Sequence, residues 1–123
     1  SNLFKLNILK KLSFKNRNKW NEDLKLLYYG SISKIINSEI AIFPIGEIEN
    51  NYCEGIVAEF VKINSNKEVK FIFYKEIIKL INIDYVIFIC KDNITTKKMI
   101  ENLLLKLDNL SIKPMGVILL KND

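Results

Sequence analysis

Histidine is missing from this chain altogether. That removes the Ser-His-Asp triad, the Cys-His pair and any His-ligated metal from the chemistry it can perform. Cysteine is scarce: Cys53 and Cys90 both sit in apolar patterns, which fits free buried thiols in a reducing compartment. No apolar run reaches the ~18 residues of a membrane span, so the chain as given is expected to be soluble. A starting Met is also absent. Ser1-Asn2 reads as the scar of a cleaved tag and is set aside, and the remainder is expected to be a piece of something longer.

Acidic residues are absent before Glu22, whereas Lys5, Lys10, Lys11, Lys15, Arg17 and Lys19 all fall there. The net charge of +5 therefore belongs to the first segment, and the remainder holds 13 basic against 14 acidic residues. Residues 3–19 interleave these cations with Leu3, Phe4, Leu6, Ile8, Leu9, Leu12 and Phe14. The pattern suits a short basic amphipathic helix that lies against anionic lipid or flanks a membrane anchor, and it equally suits an arm packed on its own domain. No basic stripe continues elsewhere, which argues against nucleic acid.

What is present in strength is an apolar alternation of element types. A hydrophobic fraction of 49% over 123 residues supports one domain with a substantial core. Val86 to Cys90 is continuously apolar and rich in β-branched and aromatic types, as in a strand buried on both faces of a parallel sheet. Lys91-Asp92-Asn93 is a polar turn, and Asn93 or Thr95 is expected to cap the next helix. There Ile100, Leu103, Leu104, Leu107 and Leu110 form one stripe. Pro114 cannot continue a helix, and Gly116 to Leu120 is a second strand of the buried type. Strand, helix and strand at this spacing imply a right-handed parallel crossover.

Upstream, residues 20–29 predict a leading helix with Glu22 and Asp23 in its first turn and Gly30 as its C-cap. Residues 40–45 predict a strand, with Pro44 at its last pairing position or on an edge. Asn51 and Glu54 have the spacing of a capping box for a helix carrying Cys53, Ile56, Val57, Phe60 and Val61. Gly55 lies inside that helix and is expected to let it approach the sheet closely. Residues 69–74 predict another strand, and 75–82 a short helical connector. The expected fold is a small three-layer, Rossmann-like α/β domain over residues 20–123. Its mostly parallel sheet has four strands and helices on both faces, with residues 1–19 as a separate basic arm.

Ligands of such sheets bind beyond the carboxyl ends of the strands. The candidate loops hold Gly46, Glu47, Glu49 and Asn50 after the first strand, and Lys91, Asp92 and Thr95 after the third. A phosphate loop would need G-x-x-x-x-G-K-[ST]. Two carboxylates and no lysine stand there instead, and carboxylates repel phosphate. Glu47, Glu49 and Asp92 could hold Mg²⁺ if they converge, which would serve a phospho-acceptor or a small Mg-dependent enzyme. Solvated acids and helix caps are the competing reading. No cofactor is expected.

Asp84-Tyr85-Val86-Ile87-Phe88-Ile89, the helix start Thr95-Thr96-Lys97-Lys98 and Pro114-Met115-Gly116-Val117-Ile118-Leu119 resemble the closing part of the bacterial tyrosine kinases of capsular polysaccharide synthesis. Those kinases belong to the ParA/MinD-like P-loop ATPases. Residues 22–30 with 40–46 resemble the helix and strand that lead into their Walker A loop. The Walker A Lys and Ser/Thr are absent between Gly46 and Gly55, and Ile89 stands where the Walker B Asp would fall. The resemblance therefore carries over no catalytic residue. It implies a shortened relative without ATP chemistry, a non-catalytic docking or regulatory domain of a membrane-associated polysaccharide-assembly protein, placed at the cytoplasmic face of the membrane and working through a protein partner. An atypical nucleotide-binding regulator is the remaining alternative.

Overall fold

The computed structural model describes residues 6–64, 69–112 and 114–122. Eight regular elements follow one another: β1 (Ile8–Ser13), α1 (Trp20–Leu27), β2 (Ser38–Pro44), α2 (Asn50–Ile63), β3 (Val69–Phe73), β4 (Tyr85–Lys91), α3 (Lys97–Asn109) and β5 (Pro114–Lys121). The strands form one sheet in the order β1-β5-β4-β2-β3, and every pairing is parallel.

The period of two in each strand distributes the apolar residues to both faces. Ile40, Ile42, Ile87, Ile89, Ile118 and Leu120 turn to one face, where they meet Trp20 and Leu24 of α1 and Cys53, Ile56 and Phe60 of α2. Ala41, Phe43, Val86, Phe88, Cys90 and Val117 turn to the other, beneath Ile100 and Leu107 of α3 and Leu80 of a 3₁₀ turn at Ile77–Leu80. Continuous apolar strands are thus what a sheet covered on both sides requires. Each fully buried Ile or Phe contributes roughly 1.5–3 kcal/mol relative to exposure.

The four-stranded sheet expected from the sequence is five-stranded. Residues 8–13, expected within a helical arm, form β1 and pair with β5 from Ile8 opposite Val117 to Ser13 opposite Lys121. The physical reason lies in β5, whose apolar side chains face both layers and whose outer edge would otherwise be bare. Gly116 makes the approach possible. A Cβ there would lie 2.6 Å from the Asn7 carbonyl oxygen and 2.6 Å from Leu9 Cγ. The register slips between Ile8 and Lys10, a bulge that hides the strand period in the sequence. Leu6 and Leu12 are buried on opposite faces of the sheet, anchoring this strand as part of the domain. Lys5 lies outside the described residues.

Other local expectations shift. Gly30 is not a C-cap: α1 continues into a π-helical turn at Tyr28–Ile32 that contains it. Neither Asn51 nor Glu54 caps α2, which begins at Asn50 behind Glu49 with no side-chain cap. Thr96, rather than Asn93 or Thr95, caps α3 by accepting the Met99 N–H. Pro44 does close β2. Its side of the ladder toward β3 ends at Ile42 opposite Phe73, so its missing N–H deprives no partner.

Candidate functional site

Strands β2 and β4 are neighbours whose chains leave in opposite directions. From β2 the chain crosses through α2 on one face to β3, and from β4 it crosses through α3 on the other face to β5. This is the topological switch point, where a doubly wound sheet opens a crevice between two loops. The loops are residues 45–49 and 92–96, and all seven residues singled out from sequence for ligand binding lie in or beside them: Gly46, Glu47, Glu49, Asp92 and Thr95 within, Asn50 and Lys91 at their ends. Asn50 begins α2 directly after.

The crevice is filled by the protein itself. Thr95 Oγ donates to the Ile45 carbonyl at 2.7 Å and accepts the Lys91 N–H at 3.0 Å, which ties the ends of β2 and β4 together. Gly46 adopts φ +96, and the position a Cβ would take lies 3.2 Å from Met99 Sδ and 3.3 Å from Ile94 Cγ2. The Ile48 N–H donates to the Gly46 carbonyl at 2.9 Å, and this tight turn drives the Ile48 side chain into the core beneath α2. A phosphate cradle needs backbone amides facing open space. Here apolar side chains occupy the turn.

The three acids do not converge. Among the described residues no group of three Asp, Glu or Cys side chains could hold a metal ion. Glu47 and Glu49 are exposed, and the Asp92 carboxylate accepts the Asn122 N–H at 2.9 Å, fastening the chain after β5. The Mg²⁺ arrangement of Glu47, Glu49 and Asp92 considered from sequence is therefore not formed.

Lys91 and Arg17 are engaged in a way the sequence did not signal. The Lys91 ammonium lies 4.1 Å from the centre of the Phe14 ring and 5.7 Å from that of Tyr52. The Arg17 guanidinium lies 4.6 Å from the Trp20 ring and donates to the Asn51 carbonyl at 2.8 Å. Phe14, Tyr52 and Trp20 touch in sequence, with ring centres 6.1 and 6.3 Å apart. The residues come from three distant segments, so no local motif announces them. Arg17 also explains Gly55: a Cβ there would run into the Arg17 guanidinium, so the glycine accommodates that side chain and not the sheet.

No protein-family model matches this chain, and no curated protein or solved structure matches it.

Beside the filled crevice, on the α3 face, an open groove of about 390 Å³ remains at the carboxyl end of β2. Phe43 and Ile45 form its floor, Ile77 and Leu103 its banks, and Lys75, Asn102 and Lys106 its polar rim. Among the described residues no carboxylate lines it. The two thiols are not available as nucleophiles. Burial pushes Cys53 up to about 12, and burial does the same to Cys90 despite an opposing hydrogen bond with Thr95. Both are free and buried, as expected from sequence. Lys10 is half-buried on β1, while Lys11, Lys15 and Lys19 are exposed. No helix among the described residues is long and apolar enough to cross a membrane.

Proposed function

We propose that this domain is a non-catalytic docking and regulatory module of a membrane-associated assembly protein, working at the cytoplasmic face of the membrane. The setting, polysaccharide assembly, is what the likeness of residues 84–119 to the capsular tyrosine kinases suggests. The observation that supports the docking role best is the filled switch point: Thr95, Ile94 and Met99 occupy the place where nucleotide chemistry would sit. Recognition then falls to the groove beside it, whose apolar floor and Lys75 and Lys106 rim suit a partner segment of apolar side chains flanked by carboxylates. Lys11, Lys15 and Lys19 offer a surface to anionic lipid, at roughly 1 kcal/mol per basic residue.

Thermal unfolding with Mg-ATP, Mg-GTP and Mg²⁺ alone tests the first half of this reading. No ligand is expected to shift the midpoint. Stabilisation by about 2.7 kcal/mol, the effect of a ligand at 100 times its dissociation constant, would overturn it. The second half is tested by a photo-reactive phenylalanine placed at Asn102 in the groove or at Ala58 on the exposed side of α2. Cross-linking to a cellular partner is expected at Asn102 only, and is expected to vanish in Lys75→Glu/Lys106→Glu.

A further inference from the structure

The two edges of the sheet differ. Strand β1 carries Lys10, Lys11 and a bulge, which are the devices that discourage a further strand from adding. Strand β3 has no bulge and a single lysine. Its sequence, Val69-Lys70-Phe71-Ile72-Phe73, is strongly β-forming and holds one charge. Along it runs an open cleft of about 320 Å³ between the strand and α2, walled by Val61, which is 57% exposed.

The hydrogen-bonding face of this edge follows from its pairing with β2. The Tyr74 N–H donates to the Ile42 carbonyl at 3.0 Å. Backbone groups alternate along a strand, so Lys70, Ile72 and Tyr74 address β2 while Val69, Phe71 and Phe73 turn their N–H and C=O outward. Among the described residues no further strand pairs with them, and the Val69 carbonyl accepts one side-chain bond, from Asn64 Nδ2 at 2.7 Å.

We infer that β3 pairs antiparallel with β3 of a second copy about a two-fold axis at Phe71, joining two sheets into one. In that register Phe71 opposes itself and exchanges both of its backbone bonds, and Val69 opposes Phe73, the Val69 carbonyl accepting the Phe73 N–H on the lone pair that Asn64 leaves. On the opposite face Lys70 lies over Ile72 and not over a second lysine. The strand is therefore complementary to itself, whereas a register centred on Lys70 would oppose two cations. The positive charge of the chain also favours this edge. It is concentrated before Trp20, and β1 is the strand farthest from β3, so two copies joined at β3 keep their basic segments apart. This pairing is independent of the docking role proposed for the groove at Lys75 and Lys106.

Sedimentation of the whole chain from about 1 to about 500 µM tests the pairing. Wild type is expected to form a dimer that dissociates on dilution. Ile72→Lys sets Lys70 against a second lysine twice per dimer and should weaken association about tenfold or more. Lys70→Glu/Ile72→Lys restores opposite charges and should recover the dimer, which separates a lost contact from a lost fold. In the dimer the amides of Val69 and Phe73 should gain exchange protection with concentration, while those of Lys70 and Ile72 are protected throughout. A wild-type chain that stays monomeric overturns the inference and leaves the edge to an extended segment of another protein. A dimer that ignores Ile72→Lys, or one that the double variant does not restore, also overturns it.

Discussion

Replacing Gly116 by alanine should detach the first strand from the sheet. The added Cβ meets two obstacles: the Leu9 side chain, at 2.6 and 2.9 Å, and the Asn7 carbonyl oxygen, at 2.6 Å. Leu9 can turn aside. The carbonyl cannot, because it accepts the Val117 N–H at 2.7 Å. Relief therefore requires β1 to move outward and stretch or lose that bond. Overpacking, the lost bond and the positive φ at this position together cost roughly 2–4 kcal/mol. For a chain of this length that lowers the thermal midpoint by ~8–15 °C. Gly30→Ala is the matched control. Nothing lies within 4 Å of a Cβ there, so it should leave stability unchanged or raise it by up to about 1 kcal/mol. Urea titration of both variants gives the energies, and amide exchange at Leu12 and Phe14, whose N–H groups address β5, reports whether β1 remains paired. A Gly116→Ala protein within about 0.5 kcal/mol of wild type, with those amides still protected, would refute the steric argument and the account of how the fifth strand is seated.

Gly55→Ala should be nearly neutral, because the atom in the way is the tip of Arg17. The helix gains about 0.5–1 kcal/mol of propensity and loses a similar exposed contact with Asn51 and Trp20, so the urea midpoint should hold while the emission of the single tryptophan, Trp20, changes. Tyr28→Phe removes the donor 2.9 Å from the buried Asn64 Oδ1 and should cost about 1–3 kcal/mol by urea unfolding. Thr95→Val removes the bridge between Ile45 and Lys91, and should cost about 1–2 kcal/mol and speed amide exchange at Lys91. Cys53 and Cys90 keep their protons in the folded chain up to about 12 against an ordinary 9.0, so the unfolded chain binds fewer protons in that window. Stability should be insensitive to these thiols below pH 9 and fall as pH rises from 9 toward 12, and Cys53→Ala/Cys90→Ala should remove that part of the decline in the urea midpoint.

The unit β4–α3–β5 was legible because each of its signals is local: an apolar β-branched run, a stripe at helical spacing and a proline at the return. Pro44 was legible for the same reason. The strand at residues 8–13 was not. Its bulge breaks the alternation, its lysines imitate an amphipathic helix, and its partner lies at the far end of the sequence. The candidate loops were located correctly, since their position follows from strand ends alone. Whether they stand open was not legible, because Met99 and Ile94 reach Gly46 only through the crossing of α3. Gly55 was recognised as a place of close approach, but its neighbour, Arg17, comes from a segment read as a separate basic arm. Glu47, Glu49 and Asp92 show the same limit: proximity in the topology did not become convergence of side chains.

Parallel pairing of β1 with β5 has a consequence for how the chain matures. Of these five strands the first in the chain is the last to find its place, since Ile8 must wait for Val117. Lys10 and Lys11, which discourage wrong pairing at the finished edge, do the same while β1 waits. Loop closure of this length makes the docking of β1 a late and slow event, so the remaining four strands would assemble before it. A chain stopped short of β5 would hold a formed central sheet at β2 and β4 and an N-terminal ribbon with nowhere to go, a species that proteases and chaperones could tell from the completed domain.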